Sequence, residues 1–198
     1  MKDRRDKILD EAIALAEAGG FDNVRQRDVA TNAGVSLGTL YKRFRSKEDI
    51  LVAALERETE ELERRMELHP APGRTPLERI EAFFEIVTKG LCRKPKYARA
   101  ILRSVVSGEA GVAQKVASYQ GRISGLIIAA IRGVGRLGFN EATTSPPTPR
   151  EVSLAVPLQH IWFAALVGWS AGLLKQTEVV ERVTDAARLL LRGLDSEL

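Results

Sequence analysis

The 198-residue sequence predicts an all-α protein of about nine helices, a small N-terminal unit followed by a larger C-terminal one. Three observations predict it. No stretch of useful length alternates apolar and polar residues as a half-buried strand does. Apolar residues recur instead at spacings of three and four along most of the chain. Helix punctuation also stands at the segment ends: Gly19-Gly20, Gly34, Thr75-Pro76 and Thr148-Pro149. With 44% hydrophobic and 28% charged residues the chain can bury a core, which excludes a disordered or fibrous protein.

The elements follow in order. A first helix is expected from Asp3 to Ala18, with Ile8, Leu9, Ala12, Ile13 and Ala16 on one face, stopped by Gly19-Gly20. Short helices over Gln26–Ala33 and Ser36–Phe44 flank Gly34. Ser46 opens a long fourth helix with Asp49 three residues on, as in a capping box. From Glu56 to Glu67 this helix carries six glutamates and three arginines, so it reads as a solvated connector that ends at His69-Pro70. The sequence therefore divides into residues 1–50 and 51–198, with helix 46–69 as the link. Helices are expected at about 76–91, 95–106 and 110–135, a loop over Gly138–Thr148, then an uncharged helix and a final one over Glu178–Arg192.

Composition narrows the function classes. One cysteine, Cys92, excludes a disulfide framework and any multi-cysteine metal site. Beside Arg93 and Lys94 it could be a reactive thiol, or an incidental one. Two distant histidines, His69 and His160, leave no cluster with metal-ligand spacing, so neither a metal nor a cofactor is expected. No apolar stretch of signal-peptide type follows Met1, and a cytoplasmic location is expected. The run Val152–Leu174 lacks charge and is long enough to span a bilayer. Pro157, Gln159, His160 and Ser170 interrupt it, so a helix buried on both faces fits better than a membrane partner. Two literal motifs fail on context. Gly133-Val-Gly135-Arg-Leu-Gly138 ends a helix instead of following a strand. Gly168-Trp-Ser170-Ala-Gly172 lies in a helical run with no histidine after it, which leaves a serine esterase using Ser170 as the enzyme alternative.

The net charge of +4 says little; its placement says more. Between Arg25 and Lys47 six cations face one aspartate, Asp28. Two short helices about a glycine turn, with Val29, Ala30, Ala33, Val35, Leu40 and Phe44 to lock them, form a helix-turn-helix, whose second helix enters the DNA major groove. The pattern Val29-Ala30-x-x-Ala33-Gly34-Val35-Ser36-x-Gly38-Thr39-Leu40-Tyr41-x-x-Phe44-x-Ser46-Lys47-x-x-x-Leu51 resembles the N-terminal signature of the TetR family of transcriptional regulators. The resemblance implies an all-α homodimer that binds a palindromic operator in double-stranded DNA and is released by a small molecule in its C-terminal domain.

Carried onto this sequence, the resemblance places Thr39 and Lys42 at base edges and Tyr41 and Lys47 at phosphates, with the Ser36 turn and Gly38 letting the backbone approach. Leu37 could meet a thymine methyl, and Arg43 the DNA backbone. Arg25 stands where many members have a capping threonine, and offers a phosphate or groove contact instead. Trp162, Trp169 and the run from Val180 to Leu191 resemble the steroid and lipid catabolism repressors of the family. An apolar effector is expected against Phe83, Phe84, Val87, Ile101, Val105, Tyr119, Ile123, Ile127, Trp162 and Leu166. Arg93, Lys94, Lys96, Arg99 and Arg103 would hold an anionic part of it or form a solvated face. Leu154, Ile161, Val179, Val183, Ala187 and Leu190 are expected at the dimer interface. A non-specific DNA-binding or scaffold protein is the remaining alternative.

Overall fold

The computed structural model describes residues 3–109, 111–135 and 145–195. All elements among them are helical: α1 (Arg4–Gly19), a 3-10 turn (Phe21–Asn23), α2 (Gln26–Asn32), α3 (Leu37–Tyr41) and α4 (Lys47–Leu68). These are followed by α5 (Pro76–Cys92), α6 (Pro95–Val105), α7 (Ala113–Arg132), α8 (Pro149–Ser170) and α9 (Gln176–Asp195). The expected all-α order is the observed one. Part of the expected Gly138–Thr148 loop, and the end of the Gly133–Gly138 motif, lie outside the described residues.

Two compact units form, one of residues up to Thr59 with Arg93–Tyr119, the other of Glu60–Cys92 with the residues from Gln120 on. α6 and the start of α7 thus group with the N-terminal helices. In that first unit, Ile8, Leu9, Ala12 and Ala16 of α1 are fully buried, as are Val24, Val29, Leu40, Ile50 and Leu51. The cations of α6 face α1 and the 3-10 turn: Lys94 pairs with Glu17, Lys96 Nζ donates to the Ala18 carbonyl at 2.7 Å, and Arg103 meets Asp22 at 3.2 Å. Three of the five basic residues considered for an anionic ligand therefore fasten α6 in place, their partners being the carboxylates of Glu17 and Asp22 and the carbonyl end of α1. At the start of α4, Asp49 is buried, accepts from Arg45 N–H at 2.9 Å and pairs with Lys115 of α7.

The second unit is built from α5, α8 and α9, with the rest of α4 and α7. α9 packs along both α5 and α8. A complete capping box starts α8, with Thr148 and Glu151 exchanging hydrogen bonds, Pro149 first and Pro157 inside the helix. Arg132 at the end of α7 holds Glu151 through Nε at 2.5 Å and Nη2 at 2.7 Å. Those hydrogen bonds, with the Thr148 contacts, pull the Glu151 carboxyl from its usual 4.5 down to about 2. Arg79 closes the other exposed carbonyls of α7, donating to Ala130 O at 2.7 Å and Ile131 O at 2.6 Å. α8 is the one described helix long and apolar enough to cross a membrane, and its Leu154, Leu158, Trp162 and Leu166 are buried in this unit.

Candidate functional site

The turn between α2 and α3 is built locally. Gly34 takes φ +66°, a conformation side chains resist, and lets Val35 N–H reach Ala30 O at 3.0 Å and its own N–H reach Thr31 O at 3.1 Å. Ser36 then caps α3, its hydroxyl accepting from Thr39 N–H at 3.1 Å and sharing a hydrogen bond with the Thr39 hydroxyl at 2.8 Å. Leu40 and Phe44 point inward against Val29 and Ala30, all of them buried.

The opposite face is open. Arg25, Ser36, Gly38, Tyr41, Lys42 and Arg43 are exposed, Leu37 and Thr39 half-buried. Arg25 sits at the start of α2 in extended backbone, with no side-chain cap. Lys42 lies just past α3, which ends at Tyr41, three residues short of the expected Phe44. Gly38 needs its small size for no internal reason: a Cβ there would meet only Ser36 Oγ, at 3.9 Å. Arg27, exposed on α2, joins this basic face and was visible in the sequence only as charge.

Lys47 has partners within the chain. Its ammonium lies 3.8 Å from the Phe21 ring centroid and donates to Phe21 O at 3.3 Å, while Arg103 lies 4.1 Å from the same ring. Phe21 offers both an aromatic face and a carbonyl that also accepts from Val24 N–H at 3.2 Å, so the side chain ties α4 to the 3-10 turn.

The effector candidates fall into two sets. In the second unit Phe83 meets Phe84 edge-on at 5.2 Å, and Phe84 meets Trp162 at 5.8 Å. Trp162 Nε1 donates to Thr88 Oγ1 at 2.9 Å, a polar partner the sequence did not reveal. Val87, Ile123, Ile127 and Leu166 are buried in the same unit. Ile101, Val105 and Tyr119 belong to the first unit, with Val105 half-buried. Burial raises the Tyr119 phenol and pushes the Cys92 thiol up to about 11, so Cys92 is not a reactive thiolate at neutral pH.

The dimer candidates need correction. Leu154, Val179, Val183 and Ala187 are buried inside the chain itself, where α9 packs along α5 and α8; Ile161 and Leu190 are half-buried. A stripe of apolar residues marks the face turned toward the chain's own core before it marks any partner. On α8 and α9 themselves, the large apolar residues left exposed are Val152, Val156, Val167 and Leu189. Ser170 is no nucleophile elbow: it ends α8, its hydroxyl donating to Val167 O at 2.8 Å, and Gly168 makes room for Leu174. Among the described residues no group of acidic, histidine and cysteine side chains could hold a metal ion.

Residues 8–54 match the bacterial regulatory proteins of the tetR family, and residues 73–190 match its tetracyclin repressor-like C-terminal domain. The chain belongs to the TetR family. It is a DNA-binding transcriptional regulator and not an enzyme. Among TetR relatives it is similar to the HTH-type transcriptional repressor KstR of Rhodococcus jostii, 34% identical over 96% of this chain and 84% of that one. Its fold matches the crystal structure of a TetR regulator from Rhodococcus sp. RHA1, with a TM-score of 0.79, 24% identity and 96% of each chain covered. It also matches Thermus thermophilus FadR, a TetR family repressor in complex with lauroyl-CoA, with a TM-score of 0.72, 20% identity, and 96% and 94% of the two chains covered.

Proposed function

We propose that this TetR-family chain is a homodimeric repressor, acting in the cytoplasm, that binds a palindromic operator and leaves it when an apolar, lipid or acyl-CoA type effector binds. The observation that carries the reading is the open basic face about Gly34. Arg25, Arg27, Lys42 and Arg43 point to solvent there while the apolar side of the same helices is locked. Residues 1–50 read DNA, and residues 51–198 hold the effector and the partner subunit. Thr39 and Lys42 meet base edges, Leu37 a thymine methyl, and Tyr41, Arg25 and Arg43 the phosphates. Gly38 and the Ser36 turn let the backbone come close. The start of α4 offers its free amides to a phosphate, while the Lys47 side chain stays on Phe21.

The effector set is the aromatic core of the second unit: Phe83, Phe84, Val87, Ile123, Ile127, Trp162 and Leu166. Support comes from two relatives: KstR is a repressor by name, and the FadR of matching fold holds lauroyl-CoA. Subunits pair through Val152, Val156, Val167 and Leu189, flanked by Ile161 and Leu190. Two recognition helices related by a two-fold axis must lie about 34 Å apart to enter successive major grooves. An effector that prefers another spacing releases DNA only to the extent of its differential affinity. Both α4 and α7 run from one unit into the other, so they carry that preference.

Titrating lauroyl-CoA into a Trp169→Phe variant while following the fluorescence of Trp162 and operator binding together tests this. Both signals should change with one midpoint. A fluorescence change that leaves operator affinity untouched would contradict the release step.

A further inference from the structure

The segment from Phe44 to Asp49 joins the recognition helix α3 to α4, and the start of α7 grips it at three points. Lys115 pairs with Asp49, a buried carboxylate 66 residues away. The same ammonium lies 5.3 Å from the centroid of the buried Phe44 ring, within reach of a cation–π contact. Just before it, the backbone at Gly111 comes so close that a Cβ there would stand 3.4 Å from Arg45 Cδ. The cations of α6 hold α1 and the 3-10 turn; Lys115 instead holds the helix-turn-helix at its far end.

Asp49 transmits that hold to the backbone. Its Oδ2 accepts from Arg45 N–H at 2.9 Å, while Oδ1 takes the Lys115 ammonium. Its own N–H donates to Ser46 Oγ at 3.1 Å. On the other side, Phe44 N–H is bound to Leu40 O of α3 at 2.9 Å. Lys42 and Arg43, exposed on the basic face, stand between these two anchors. A buried carboxylate that loses its cation is left uncompensated and turns toward water, and the bond to Arg45 N–H goes with it.

Nothing here puts Lys115 itself on DNA. Its side chain is only 28% exposed, and its ammonium is engaged by Asp49 and Phe44.

We propose that Lys115 is a positioning residue for operator reading: acting through Asp49 and Phe44, it fixes the α3–α4 segment so that Thr39 and Lys42 meet base edges in register. The inference rests on the operator-binding reading above and concerns its specificity, since phosphate contacts alone carry no sequence information.

Two affinities test it: for a duplex enriched from a random pool by the wild-type protein, and for an unselected duplex of equal length. Both are read by fluorescence anisotropy across a salt series, well below each variant's melting temperature. Lys115→Met keeps an unbranched apolar chain near Phe44 and removes the charge. It should weaken the selected duplex about tenfold or more and the unselected one less than about twofold, with its salt slope unchanged. Lys115→Arg keeps a cation and should retain most of the selective affinity. Asp49→Asn keeps an acceptor for Arg45 N–H and should show the same selective loss, so the test stands even if Lys115→Met does not fold. The double variant should bind no more weakly than Lys115→Met alone, because residues that act through one another are not additive.

An equal loss on both duplexes, with the salt slope lowered by about 0.9, would show that Lys115 holds a phosphate directly and would overturn the proposal. A lowered melting temperature with both affinities unchanged, or additive losses in the double variant, would overturn it too. A wild-type protein that enriches no sequence would overturn the operator reading and this inference with it, whereas the other outcomes overturn the inference alone.

Discussion

Replacing Lys47 by alanine separates two roles that one residue could play. In the structure its ammonium sits 3.8 Å above the Phe21 ring and 3.3 Å from the Phe21 carbonyl oxygen. A cation on an aromatic face is worth about 0.5–2 kcal/mol, less where water reaches it. Lys47 is half-buried, and its hydrogen bond is long, so the two contacts together stabilise by roughly 1 kcal/mol. For a chain of this size that corresponds to about 2–4 °C in Tm. A lost phosphate contact would instead lower the slope of log K against log salt by about 0.9. Circular dichroism melts combined with operator titrations from about 50 to 200 mM salt read both quantities. Lys47→Ala should lower Tm by a few degrees and leave the salt slope within error of wild type. Arg43→Ala, on an exposed side chain, should do the reverse. A slope reduced by about one with an unchanged Tm would show that Lys47 holds DNA and that the Phe21 contact stabilises nothing.

Three more outcomes follow from the same geometry. Val156→Glu, on the exposed stripe of α8, should give a folded monomer by light scattering, whereas Val183→Ala, in the chain's own core, should cost about 1–3 kcal/mol with dimerisation intact. The Glu151 carboxyl, lowered from 4.5 to about 2 by Arg132, stabilises the fold above pH 4.5 and loses that contribution as pH falls toward 2. The Tm deficit of Glu151→Gln should accordingly be largest near neutrality and vanish by about pH 2 in the same window. Cys92, buried and pushed up to about 11, should resist iodoacetamide at pH 8 in the native protein and react at once in denaturant.

Where local chemistry decides the structure, the sequence is readable. Gly34, Ser36 and the buried pair Leu40 and Phe44 act over three to ten residues, so the helix-turn-helix and its exposed face follow from spacing. The Ser46 cap and the Thr148 capping box place α4 and α8 for the same reason. What spacing does not carry is the identity of the partner across the fold. Val179, Val183 and Ala187 make an apolar stripe whether α5 and α8 or a second subunit covers it. Lys94, Lys96 and Arg103 are cations in a row whether α1 or an anionic ligand meets them. Lys47 has the right type and position for a phosphate, yet Phe21, far from it in sequence, offers a nearer acceptor. Trp162 could be read as buried, but its hydrogen bond to Thr88 joins residues 74 apart.

The central claim is that an open basic face on a two-fold dimer reads a symmetric DNA sequence. Selection of bound fragments from a pool of random duplexes by the purified protein measures this directly. The account predicts enrichment of an inverted repeat whose half-sites lie about one helical turn apart, lost in the Val156→Glu monomer. Recovery of fragments with no shared sequence, at an affinity governed by salt alone, would contradict it.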